Sequence, residues 1–98
     1  MLFEYRKTIL NALRDVSNAL VTYKESREFQ EEKSAQVIAA ADAVRLARLR
    51  YAAGASSYLE VLTTDTQLYD AQLTLAVAQE REASSLVELY AVLGGGWQ

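Results

Sequence analysis

The side chains of this chain that could take part in chemistry are its carboxylates and serines, and nothing beside them completes a catalytic set. The sequence has no histidine and no cysteine, which excludes Ser-His-Asp chemistry, a cysteine nucleophile and a thiolate zinc site. It also lacks a phosphate-binding loop and a cluster of metal ligands. Ser57 and Glu60 have the spacing of a helix capping box, which explains them better than acid–base catalysis does. We therefore predict no enzyme, no catalytic residue, no metal and no cofactor.

The elements that carry these residues are expected to be long helices. The 98 residues include no proline and only four glycines, at positions 54, 94, 95 and 96, so a helix could be interrupted at two places only. The net charge of −3 argues against nucleic acid as a partner. Residues 1–50 carry a net charge of +2 and residues 51–98 carry −5, so the two halves can attract each other when they lie side by side. We see neither a signal peptide nor a membrane span.

A seven-residue repeat of apolar side chains runs along the first predicted helix, residues 1–53. Such a repeat predicts a coiled coil, in which small residues at position d let a neighbouring helix approach closely. The repeat fails at Gln30 and Lys33, where we expect looser packing. Its a positions are Leu2, Ile9, Val16, Tyr23, Gln30, Val37, Val44 and Tyr51, and its d positions are Tyr5, Ala12, Ala19, Ser26, Lys33, Ala40 and Ala47.

The second predicted helix, residues 58–93, repeats the design and adds a second apolar stripe. Its a positions are Val61, Leu68, Leu75, Glu82 and Leu89, and its d positions are Thr64, Ala71, Ala78, Ser85 and Val92. The second stripe consists of Leu62, Tyr69, Ala76, Ala83 and Tyr90. This apolar face is wider than one partner helix requires. Two interpretations remain open: a broad core in a small bundle, or contact with helices on two sides.

Residues 54–57 are predicted to form the turn between the helices, and residues 94–98 a glycine-rich tail that stops the second helix. Gly54 suits the left-handed position that ends a helix, and Ser57 suits the N-cap of the next one. A joint this short predicts antiparallel helices. Facing residue numbers should then add up to about 108, which places Arg48 near Glu60 and Arg45 between Glu60 and Asp65 as ion pairs.

In this register, residues 1–14 have no partner in the hairpin, although they carry Leu2, Tyr5, Ile9 and Leu10. The predicted fold is therefore an all-α antiparallel two-helix coiled-coil hairpin. We expect self-association to complete it as a four-helix bundle or a helical barrel. A short glycine hinge also allows the hairpin to open into one long helix that exchanges partners.

Three motifs give the chain a resemblance to a known family. They are the turn motif from Tyr51 through Gly54 to Tyr58-Leu59-Glu60-Val61-Leu62, the residues Leu68, Ala71 and Gln72, and the ending from Leu89-Tyr90 to Gly94-Gly95-Gly96-Trp97. Together they resemble the TolC family, the outer membrane factors of tripartite efflux and secretion systems. The resemblance implies the last coiled-coil pair of a longer homotrimeric protein, in which helices form a periplasmic tunnel. Contact with the membrane would be made only through a β-barrel outside this chain.

The resemblance also implies partners and site residues. Gly54, Ala55, Ser56 and Ser57 would form the tunnel tip that docks a periplasmic adaptor (membrane fusion) protein, which links it indirectly to an inner-membrane pump. Tyr51 and Glu60 match gate residues of some members. For both, a structural role stays open: Glu60 as the N3 residue of the cap, and Tyr51 as the last a-position side chain. Trp97 would pack on something outside this chain. The alternative function is a self-contained helical hairpin module for homo-oligomeric interaction.

Overall fold

The computed structural model describes residues 2–95, and they form two long helices. The first helix, α1, spans Leu2–Ala52, and the second, α2, spans Tyr58–Gly95. The described residues contain no strand, so the predicted all-α hairpin is confirmed. Helices of this length persist because no proline removes a backbone donor from them. Within residues 2–95, neither helix combines the length and the apolar character needed to cross a membrane.

The end of α2 differs from the predicted stop at Leu93. Gly94 and Gly95 continue the helix for two residues more. Glycine costs a helix about 1 kcal/mol relative to alanine without removing a hydrogen bond, so it weakens a helix end without terminating it. The predicted linker at Gly96 and the packing of Trp97 lie outside the described residues.

The chain divides into two compact units, and the unit of residues 29–79 contains the turn. Its most buried side chains are Val44, Ala47, Val61 and Ala78. All four occupy predicted a or d positions, so the seven-residue repeat identifies the seam between the helices. Ala78 has 0% of its surface exposed and Ala47 has 2%, because these small d residues let the two backbones approach closely.

The same unit includes Gln30 and Lys33, at which the repeat was expected to fail. Both side chains are half-buried, so the polar residues still face the seam. The Lys33 ammonium lies 5.1 Å from the centre of the Phe29 ring. A long lysine side chain can bury its stem and leave its charge near a ring face and water, which lets the seam continue through this polar stretch.

The second unit comprises residues 1–28 and 80–98, of which 2–28 and 80–95 are described. Its core consists of Ala19, Leu89 and the polar Ser85, again at a and d positions. The side chains near the start of α1 stay exposed, with Leu2 at 80% and Tyr5 at 69% of their surface. The expected lack of a partner is therefore seen at Leu2 and Tyr5, whereas Asn11 and Ala12 line a groove together with Ala91 and Val92 of α2.

The second apolar stripe of α2 faces away from the seam. All five of its residues, Leu62, Tyr69, Ala76, Ala83 and Tyr90, are exposed. The stripe consequently forms no part of the core of this chain. It is available to helices outside the chain, which is required both by a broad core in a small bundle and by contact with helices on two sides.

Candidate functional site

The backbone of the turn is closed by two hydrogen bonds that end α1. The Ala55 N–H donates to the Arg50 carbonyl at 2.8 Å, and the Gly54 N–H donates to the Tyr51 carbonyl at 3.0 Å. This pair of bonds defines a Schellman motif, which satisfies carbonyls that a helix end leaves free. The motif needs a left-handed residue, and Gly54 supplies it with a φ of 78°. The hairpin therefore turns where the sequence placed its mid-chain glycine.

The Glu60 carboxylate lies in the first turn of α2, but it does not complete the expected capping box with Ser57. Its Oε1 atom accepts a hydrogen bond from Arg50 Nη1 at 2.9 Å, and its Oε2 atom accepts one from the Ser56 hydroxyl. Ser57 directly precedes the first residue of α2, Tyr58, and its carbonyl accepts from the Glu60 N–H at 3.2 Å. A charge-assisted bond to a guanidinium is stronger than one to a neutral amide, which explains why the carboxylate binds Arg50 and not the backbone N–H of Ser57.

Two tyrosines meet across the turn. The ring centres of Tyr51, at the end of α1, and Tyr58, at the start of α2, lie 5.3 Å apart with their planes at 57°. Tilted contacts at this distance are favourable for aromatic pairs. Tyr51 is 48% exposed, so it is not buried as the last a-position side chain of the seam. Its ring instead packs against the ring of Tyr58 on the other side of the turn.

The ion pairs between the helices differ from the expected ones. Arg48 pairs with Asp65 at 3.3 Å and Arg50 pairs with Glu60 at 2.9 Å. Arg45, which was expected to cross to α2, pairs with Asp42 of its own helix at 2.8 Å. The expectation that Arg48 meets Glu60 is therefore wrong.

The physical reason is the direction in which helical side chains lean. Every side chain of a helix tilts toward that helix's N-terminus. In an antiparallel pair the side chains of the two helices therefore tilt in opposite directions along the pair. Two side-chain ends meet when each residue lies further toward the C-terminus of its own helix than the residues whose backbones face each other. The residue numbers of the observed pairs add up to 110 for Arg50 with Glu60 and 113 for Arg48 with Asp65, above the expected backbone value of 108.

A collar of apolar side chains surrounds the tip and is open to solvent. The exposed fractions are 57% for Leu49, 48% for Tyr51, 55% for Tyr58, 71% for Leu59 and 46% for Leu62. We call these five residues the tip collar. Several exposed apolar side chains close to one turn are typical of surfaces that contact other proteins. Within residues 2–95 there is no group of acidic side chains that could hold a metal ion.

Sequence reasoning named Gly54, Tyr51, Ser56 and Glu60 at the tip, but it missed Arg50 and the bond between Ser56 and Glu60. Arg50 was not considered, although it is the basic residue of the last turn of α1, where a cation is favoured by the helix dipole. Ser56 was assigned only to the turn and not to Glu60. The sequence does contain a signal for both residues. Arg50 at the end of α1 and Glu60 at the start of α2 carry opposite charges and are close along the chain, and Ser56 lies between them.

These features define a class of protein: a coiled-coil hairpin with one buried seam, a second apolar stripe left exposed on α2, and an apolar tip. The comparison with known families identifies the group within this class. The family model of the outer membrane efflux proteins matches residues 2–95, and the chain belongs to that family.

Several curated proteins are similar to the chain over nearly its whole length. The pyoverdine export outer membrane protein OpmQ of Pseudomonas putida is 40% identical over 101 residues, covering 100% of this chain and 21% of OpmQ. The probable efflux pump outer membrane protein TtgC of Pseudomonas putida is 39% identical and covers 96% of the chain and 19% of TtgC. The cation efflux system protein CusC of Escherichia coli is 31% identical, with 96% of the chain and 20% of CusC covered. No solved structure matches significantly.

The chain spans about a fifth of the length of the curated relatives it matches. Those relatives are named as export and efflux proteins, which are transporters rather than enzymes. The family consists of outer membrane proteins of Gram-negative bacteria, and this helical segment is the periplasmic part. The resemblance inferred from the turn motif and the glycine-tryptophan ending is confirmed.

Proposed function

We propose that the hairpin is the lower wall and the tip of a periplasmic export tunnel, and that its tip docks a periplasmic adaptor protein and gates export. The observation that carries this proposal is the tip collar. A closed tunnel end that met only water would gain nothing from five exposed apolar side chains, whereas a docking surface requires them. The adaptor would connect the tip indirectly to an inner-membrane pump.

The tunnel wall accounts for the second apolar stripe of α2. In a barrel of helices, each helix contacts neighbours on two sides and so needs two seams. The stripe supplies the second seam at Tyr69 and Tyr90, which are 62% and 66% exposed. The proposed assembly of the complete protein is a homotrimer, whose other helices cover this stripe.

The proposed gating involves movement of the hairpin and no chemistry. Tyr51 and Glu60 lie at the mouth of the turn and are the candidate gate residues, while Gly54, Ala55, Ser56 and Ser57 form the surface that an adaptor reaches first. The mechanism requires no catalytic residue, cofactor or metal, because only the separation of hairpins changes. The relatives' roles in export and efflux support this direction.

Docking can be tested by disulfide or bifunctional cross-linking in cells that produce the full-length outer membrane protein containing this segment. The segment has no cysteine, so a cysteine introduced into it reports one position once any cysteines elsewhere in the full-length protein are replaced by serine. Ala55→Cys at the tip should cross-link to the adaptor, whereas Ser17→Cys, an exposed residue of the other unit, should not. Cross-linking at position 17 without any at position 55 would contradict docking at the tip.

Gating is tested separately by conductance of the full-length protein in planar bilayers and by drug resistance of the cells. Tyr51→Ala and Glu60→Ala should each increase the open fraction, because each shortens a side chain that the proposal places against the neighbouring hairpins at the closed tip. Leu93→Ala, a substitution distant along the chain, serves as the control. Unchanged conductance and resistance in both tip variants would contradict a gating role for these residues and leave the hairpin with a structural role only.

The alternative function is a self-contained hairpin module that pairs with itself. The observation that favours it is the exposure of Leu2, Phe3 and Leu10, at 80%, 82% and 59%, near the start of α1. Sedimentation of the 98-residue chain tests it. Dimers or tetramers at micromolar concentration would support self-association, whereas a fully helical monomer would contradict it.

A further inference from the structure

The Glu60 carboxylate is held at both of its oxygens by residues of the same hairpin. Arg50 Nη1 lies 2.9 Å from Oε1, and the Ser56 hydroxyl donates to Oε2. Arg50 belongs to the last turn of α1, Ser56 to the turn itself and Glu60 to the first turn of α2. The carboxylate therefore ties together three segments that approach one another because the chain reverses at Gly54.

These contacts exist only when the chain is folded back. If residues 50–60 continued as one helix, Arg50 and Glu60 would be about 15 Å apart along the axis, and Tyr51 and Tyr58 about 10 Å apart. Neither the ion pair nor the 5.3 Å ring contact could form in that extended state. An interaction that is present in one state and absent in the other shifts the population toward the first.

We propose that Arg50 and Ser56 are positioning residues for Glu60, and that these three residues form a clasp that keeps the hairpin closed. The competing state is an extended helix that exchanges α2 with a second copy of the chain. This inference goes beyond the proposed export function, since it concerns the conformation of the hairpin whichever partner docks on it. The clasp and the Gly54 turn together decide between the closed and exchanged forms.

The state of the hairpin can be measured by the distance between two spin labels. Ala41→Cys and Gln72→Cys place the labels on exposed positions of α1 and α2 in the same unit. The labels lie side by side in the closed hairpin and about 46 Å apart in an extended helix. Dilution with an excess of unlabelled chain restricts the signal to one molecule. A Gly54→Ala background weakens the turn and so populates the extended state.

In this background, Arg50→Ala and Glu60→Ala should each raise the ratio of extended to closed molecules about 2- to 5-fold, as expected for a partly exposed ion pair. The double variant Arg50→Ala with Glu60→Ala should raise the ratio by no more than about the larger single effect, because each single variant already removes the ion pair. The matched control is Arg45→Ala, which removes an arginine bound only within α1 and should leave the ratio unchanged.

The two serines give a second test that separates the clasp from a capping box. Ser56→Ala should raise the extended fraction, whereas Ser57→Ala should raise it less. The clasp is overturned if all variants have the same extended fraction, if the effects of Arg50→Ala and Glu60→Ala add fully in the double variant, or if Ser57→Ala has a larger effect than Ser56→Ala. The last of these results would assign Glu60 to a local capping role with Ser57 instead.

Discussion

The hydroxyl oxygens of Ser26 on α1 and Ser85 on α2 lie 2.7 Å apart across the seam between the helices. Each hydroxyl also reaches a carbonyl of its own helix: Ser26 that of Tyr23 at 2.7 Å, and Ser85 that of Glu82 at 2.9 Å. A serine hydroxyl has one proton, so two protons serve three contacts. Either serine can therefore lose its partner and keep its own backbone bond.

This sharing predicts a small cost for removing the serine pair. Ser26→Ala or Ser85→Ala alone should lower the free energy of unfolding by about 0.5–1 kcal/mol. The double variant should cost no more than either single one, because each single variant already loses the bond between the serines. Alanine is also accommodated at such positions of the seam, since it fills the buried d positions 19, 47 and 78. Urea unfolding followed by circular dichroism measures all three. Strictly additive losses would show that the cross-helix bond contributes nothing of its own.

Close approach of the helices at Ala78 predicts a large penalty for a bigger side chain. Ala78 is completely buried, and Ala78→Leu should lower the free energy of unfolding by about 1–3 kcal/mol. Ala76→Leu adds the same atoms to the same helix on its exposed stripe and should change it by less than about 0.5 kcal/mol. Equal effects in urea unfolding would mean that the seam is not closely packed at Ala78.

Two glycines should respond to alanine with opposite signs. Gly54 has a φ of 78° and open space around it, so Gly54→Ala costs about 1 kcal/mol of backbone strain and no steric clash. Gly94 lies within α2, also with open space, so Gly94→Ala should stabilise by about 0.5 kcal/mol. Melting temperatures of the two variants should move in opposite directions. A stabilised Gly54→Ala chain would contradict the left-handed turn.

The ion pairs predict which arginines couple the two helices. A double-mutant cycle of Arg48→Ala and Asp65→Ala should give a coupling of about 0.2–1 kcal/mol, which weakens at high salt. The same cycle with Arg45→Ala and Asp65→Ala should give none, because Arg45 is bound to Asp42. Coupling of Asp65 to Arg45 rather than Arg48 would restore the register expected from the sequence.

Much of the fold follows from local chemistry and could be predicted. Without proline the chain can form long helices, and a glycine at position 54 can adopt the left-handed φ that reverses it. The seven-residue repeat identified Val44, Ala47, Val61 and Ala78 as core residues because a periodic apolar stripe is a property of the helix itself. The exposed second stripe was also visible in the repeat.

The tip shows where prediction from sequence ended. The spacing of Ser57 and Glu60 matched a capping box, yet the carboxylate binds Arg50 and Ser56. Several donors lie within reach of one carboxylate at a tight turn, and the strongest available bond prevails. A sequence pattern shows which residues are near each other along the chain. It does not show which of the donors that the turn brings close to Glu60 forms the strongest hydrogen bond with it.

The sequence by itself determined the two helices, the place of the turn and the side of each helix that is buried. Only the tertiary structure decided which side chains meet: Arg48 with Asp65, Arg50 with Glu60, and Tyr51 with Tyr58. Helical periodicity is set by the backbone and can be read residue by residue. The meeting of side-chain ends depends on the opposed tilts of two antiparallel helices, and these exist only once the chain has folded back on itself.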